Sequence, residues 1–192
     1  MMKRTASILI LSLALLTVPH AASAQRIGAA VNVADVLYYG TLNAEAGVAL
    51  SRHATLHAGF LYNPWQWGGD VPETELHRRQ RSVRAGVRVW PWHVWSGWWF
   101  SGWGRWQEYN RNGLFFSRSD LTEEGDAFGA GFSGGYSLML MPRLNVEFGL
   151  GVWGGKARYR SYDCPTCGMV VDEGRKWFVL PEEAVVSLMY IF

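Results

Sequence analysis

Residues 177–192, WFVLPEEAVVSLMYIF, constrain the fold more than any other stretch. From Ala184 on, Ala184, Val186, Leu188, Tyr190 and Phe192 share one parity, so an extended strand presents an unbroken apolar row on one side. The last residue is itself aromatic. A bare apolar edge strand invites pairing with other chains, so a fold that keeps one has to close it. A membrane barrel closes it against its own first strand and gives the apolar row lipid to face. Tyr190-Ile191-Phe192 has the aromatic-x-aromatic form of such a closing strand, the segment that barrel-assembly machinery would engage. Tyr190 and Phe192 are then expected in an aromatic belt at the lipid boundary.

The other end agrees. Lys3 and Arg4 precede the apolar run 6–18, and Ala22-Ser23-Ala24 follows before Gln25. This is the pattern of a secretory signal peptide, 1–24, with an A-x-A cleavage site. It is too short for a membrane-spanning helix, and no lipobox cysteine follows it. Removing it from 192 residues leaves 168, one domain over 25–192. Lys3 and Arg4 leave with it, so 16 of the 18 basic residues remain against 16 acidic ones. That balance argues against a nucleic-acid partner, which would leave a basic stripe.

Between the ends, apolar and small or polar residues alternate in seven further segments. Leu42, Ala44, Ala46, Val48 and Leu50 alternate with Asn43, Glu45, Gly47 and Ala49; Val83, Ala85, Val87 and Val89 with Ser82, Arg84, Gly86, Arg88 and Trp90; Leu144, Val146, Phe148, Leu150 and Val152 with Asn145, Glu147, Gly149 and Gly151. The first segment reads as a strand over 26–38. The connections at 51–53, 91–97 and 141–143 are short, whereas those at 63–77, 110–125 and 160–176 are long and polar. A transmembrane barrel predicts that alternation, with short periplasmic turns, long outer loops and both termini inside. The expectation is an all-β, eight-stranded antiparallel up-and-down barrel in the cell outer membrane. One connection, near 38–40, is short for an outer loop.

The charges fall on the inner row: Glu45, Arg84, Arg88, Arg105 and Glu147, with His57, Asn43 and Asn145. Eight strands leave an interior that side chains fill, and charges enclosed there have to pair. Glu45 and Glu147 are expected to pair with the arginines and plug the lumen, a structural role favoured over a catalytic carboxylate pair. Cys164-Pro165-Thr166-Cys167-Gly168 sits in the last outer loop. A disulfide between Cys164 and Cys167 ranks first, ahead of a metal site, for which Asp163 and Asp172 are poor complements, and of a redox motif. No metal or cofactor is called for.

Of the 11 Trp, seven crowd into 90–106. Trp90, Trp92, Trp95, Trp98 and Trp99 are expected as an aromatic girdle around the 91–97 turn, and Trp103 on the inward parity with Arg105. A carbohydrate-stacking platform is the sharper but less favoured reading. Ser51, His53, His57, His93 and Ser96 form no nucleophile signature such as G-x-S-x-G, so the expectation is a protein without enzyme activity.

Three pieces together carry a family resemblance: Tyr62-Asn63-Pro64-Trp65, Tyr162-x-Cys164-x-x-Cys167-Gly168, and Phe178…Pro181…Ala184…Ser187-Leu188-x-Tyr190-x-Phe192. The chain resembles, over 25–192, a family of small outer-membrane β-barrels of unknown function in Bacteroidota, some encoded beside fimbrial genes. The heavier Trp content at 90–106 departs from it. The resemblance implies location and fold, with outer-membrane lipid and a surface or fimbrial protein as partners. It brings no catalytic or binding residues. The expected role is structural or binding at the cell surface; the alternatives are a lipid-modifying outer-membrane enzyme and a soluble lipocalin-like carrier.

Overall fold

The computed structural model describes residues 26–67, 76–112, 121–163 and 169–192. The signal segment 1–24, Cys164 and Cys167 lie outside the described residues. The chain forms β1 (Ile27–Asn32), α1 (Val33–Leu37), β2 (Leu42–Ala49), β3 (Ala54–Asn63), β4 (Leu76–Val89), β5 (Gly97–Asn112), β6 (Thr122–Met141), β7 (Leu144–Tyr162) and β8 (Val170–Ile191). A two-residue stub, Gln66–Trp67, pairs at the outer end of β4. Neighbouring strands are antiparallel throughout, and β1 pairs with β8, so the eight strands form a closed barrel.

Alternation decides which side each residue takes. Val83 is 54% exposed, Phe132 55% and Leu150 74%, on the outside of the barrel, while Ser101, Asn145 and Glu147 on the other parity are buried. Tyr190 and Phe192 both face outward with their rings 5.0 Å apart, edge to face. The outward apolar band gives way, toward the loop end, to Arg81 and Glu108 on β4 and β5 and to Arg158 and Arg160 on β7.

Strand ends differ from the sequence expectation in two places. The first strand stops at Asn32 rather than running to 38. Asn32 caps a short helix, its Oδ1 accepting from Ala34 N at 3.2 Å, with Asp35 in the first turn. Conversely, β5 to β8 reach far into the stretches expected as loops 110–125 and 160–176. There both faces are polar, so no apolar row marks the strand. Charged side chains mark these extensions instead: Arg160 and Glu173, directly opposite on β7 and β8, lie 3.4 Å apart, and Lys176 on β8 reaches Glu123 on β6.

The tryptophans need a larger correction. Trp92 and Trp98 face outward, but Trp90, Trp95 and Trp99, expected in the outer girdle, are buried in the lumen. The connection between β4 and β5 folds back into the barrel rather than lying across its mouth: Val94 is buried, and Trp95 turns at φ 68° with Gly97 at φ 74°. The Trp95 ring packs where a Cβ on Gly28 or Gly47 would come within about 3.1 Å of it. Its carbonyl accepts from Asn145 Nδ2 at 2.5 Å and Ser137 Oγ at 3.3 Å. Trp90 and Trp99 join Trp95, Met189 and Ile191 in an apolar plug at this end. The rings are inside because the strand parity of Trp90 and Trp99 points there, and glycines on the facing wall leave them space.

Candidate functional site

Immediately above the tryptophan plug lies a charged layer. Arg88, from β4, donates to Glu45 Oε1 and to Glu147 Oε2, each at 2.9 Å, bridging β2 and β7 across the lumen. Arg84, further along the same row, donates to Glu45 Oε2 at 2.7 Å. Arg88 also stacks on Trp99, 4.3 Å from its centroid, so the cation meets two carboxylates and an aromatic face. Charges so enclosed are tolerable only with partners of this quality. With the plug beneath it, the layer fills the turn end of the barrel.

His57 continues the layer. Its Nε2 lies 2.8 Å from Ser101 Oγ, and its Nδ1 lies 3.5 Å from Glu45 Oε2. Serine, imidazole and carboxylate in line are the parts of a hydrolytic relay. Reading the sequence for motifs missed this trio because its members come from β2, β3 and β5. Parity was the available signal, since all three sit on inner rows. Ser101 is 1% exposed, however, and lines neither the large cavity of the loop end nor the small space beside Glu45 and Arg88.

Farther from the plug, the lumen widens into a cavity of about 670 Å³. Arg105 belongs to this cavity rather than to the carboxylate layer below, lying over Trp153 at 4.8 Å. Trp103, inward as expected, packs with Trp153 and Tyr109 in a second aromatic cluster. Arg78, Arg79, Arg84, Arg111 and Lys176 also line the cavity, against one acidic residue, Asp35. At its rim Glu123 accepts from Tyr109 Oη at 2.8 Å and from Lys176 Nζ. Tyr109 lies beyond the outward apolar band, level with Glu108. Burial, and then the Glu123 carboxylate, push its phenol well above the ordinary tyrosine range. Among the described residues no three His, Cys, Asp or Glu are grouped to hold a metal.

Fold and interior together define a small closed β-barrel, solid at its turn end and hollow and basic at its loop end. Over residues 8–192 the chain matches the family described as "Protein of unknown function (DUF3575)", and it belongs to that family. No curated protein and no solved structure matches it.

Proposed function

We propose that this protein is a cell-surface binding barrel of the outer membrane, whose basic cup takes a small anionic ligand and whose base does not conduct. The carrying observation is the contrast inside one lumen: below, carboxylates and arginines neutralise one another around Arg88; above, the cavity lining is predominantly cationic. A field of one sign in a walled cavity concentrates counter-ions of the other. The outward row supports lipid as the surrounding solvent, since Phe128, Leu150 and Val179 are at least 70% exposed. The charged strand extensions beyond that row are where a surface protein partner would dock.

Cell fractionation with a heat-modifiability gel tests the location: a closed barrel in the outer membrane runs anomalously until boiled. Planar bilayers test the base. Stable ion conductance through the purified protein would defeat the closed floor.

The Ser101–His57–Glu45 line favours a second reading, a lipid hydrolase. It ranks lower because an ester carbonyl would have to come within about 3 Å of Ser101 Oγ, and Ser101 is buried and does not line the loop-end cavity. Labelling of Ser101 by a fluorophosphonate, or a His57→Ala change that alters lipopolysaccharide mass spectra, would promote it.

A further inference from the structure

The wall around the cup is incomplete as a sheet. The ladder joining β1 to β8 runs from Gly28–Ile191 to Asn32–Ser187 and stops where β1 turns into α1. Beyond that point β8 continues to Val170 with only β7 as a strand neighbour among the described residues. Helix α1 lies across the gap, and its Ala34, together with Asp35 and the following Tyr38, lines the cavity. On the β8 side of the same gap the β7–β8 register slips between Gly151 and Val152, with Glu183 opposite the first and Pro181 opposite the second. Proline within a strand is at home at a bulge or an unpaired edge, and this site supplies both.

The cavity follows the gap outward. Its lining includes Phe132, Leu150 and Val152, which hold outward positions on β6 and β7, as well as Pro181 and Ala184. One continuous space therefore has arginines at its inner end and the barrel's apolar outer face at the other. A small hydrophilic anion would use only the inner end.

Resting on the outer-membrane reading above, we infer that this space is a side opening that binds an anionic amphiphile drawn from the bilayer. The head group, a carboxylate or phosphate, sits between Arg78 and Arg105, whose planar guanidinium forks suit its oxygens. The acyl chain leaves past Pro181 and Ala184 onto Leu150 and Val152, where it meets lipid. About 670 Å³ falls within the range of roughly 300–1,000 Å³ usual for small-molecule sites.

The test uses the full mature barrel in phosphatidylcholine nanodiscs, with radiolabelled hexadecanoate, hexadecanol and inorganic phosphate as probes. Hexadecanoate is retained above protein-free discs, about tenfold more than the uncharged hexadecanol, because only the former pairs with the arginines. Arg78→Gln with Arg105→Gln lowers retention of both anions. Ala184→Trp, a change on the outer face that fills the gap, releases hexadecanoate and leaves phosphate bound. Ala34→Trp closes the gap from the α1 side and serves if the first variant fails the heat-modifiability check. Phosphate binding with no preference for hexadecanoate over hexadecanol, or hexadecanoate unaffected by both gap-filling changes, overturns the side opening and leaves the cup intact. Retention of neither anion overturns both.

Discussion

Arg88 Nη1 donates to Glu147 Oε2 at 2.9 Å inside a layer where the carboxylate is 1% exposed. Because Arg88 also holds Glu45, its loss takes the arginine from Glu147 and leaves Glu45 with Arg84 alone. Arg88→Met is expected to destabilise the barrel by about 3–5 kcal/mol, the usual consequence of breaking a buried pair from one side. Glu147→Gln is milder, since Arg88 keeps Glu45. Urea titration of the folded band on unboiled gels measures both. A loss for Arg88→Met no larger than that for Glu147→Gln would show that the bridge does not hold the floor.

How much of this was legible beforehand depends on what each residue reports. Parity placed Glu45, Arg84, Arg88 and Glu147 inside, because inward and outward positions of a half-buried strand differ by one residue and nothing else. The same parity put Trp90 on the inner row, yet aromatic type suggested a belt. Residue type indicates a preference for interfaces, whereas strand position decides which side of the wall a ring takes. Trp95 gave no signal at all, since its place inside depends on a left-handed turn and on glycines in two distant strands. The helix after Asn32 was hidden because Val31 and Val33 continue the alternation; the cap formed by Asn32 and Asp35 was the available clue. The cup was illegible for a different reason: a cavity is a property of what eight strands leave unfilled, and no local pattern records it.

Glycine and tryptophan fit each other across the lumen wall. A Cβ added to Gly131 would lie 2.3 Å from the Trp103 ring, and that ring is fixed by Nε1 donating to Ser133 Oγ at 3.3 Å. Gly131→Ala therefore forces the indole to move and should cost about 1–3 kcal/mol, as overpacking does. Trp103→Leu makes room, so the double variant should be little worse than Trp103→Leu alone. Strict additivity of the two losses in the same urea titration would refute the fit.

Tyr109 sets an alkaline limit. Burial and its hydrogen bond to Glu123 raise the phenol in the folded state, so the folded barrel holds that proton more tightly than the unfolded chain does. The resulting stabilisation is complete below the ordinary tyrosine value of about 10 and is lost as pH rises above it toward the higher folded value. Wild type should lose its stability advantage over Tyr109→Phe across that alkaline range. A gap between the two that stays constant from about pH 8 to pH 11 would contradict the assignment.

Asn32 holds the point where the barrel seam ends. Its Nδ2 donates to Ala184 O at 3.1 Å and to Asp35 Oδ2 at 3.0 Å, while its Oδ1 accepts from Val186 N at 3.0 Å and from Ala34 N at 3.2 Å. One side chain thus caps α1 and replaces the next rung of the β1–β8 ladder. Asn32→Ala removes a helix cap worth about 1 kcal/mol and also deprives Val186 N–H and Ala184 C=O of the carboxamide that bonds them. Fraying should start at the seam and spread along β8 toward Pro181, while the β4–β5 ladder on the far side is unaffected. Amide hydrogen exchange resolves this: Val186 and its neighbours on β8 exchange faster in Asn32→Ala, and Val87 and Trp103 do not. Uniform acceleration around the whole barrel would mean that Asn32 supports global stability and that the seam has no separate opening motion.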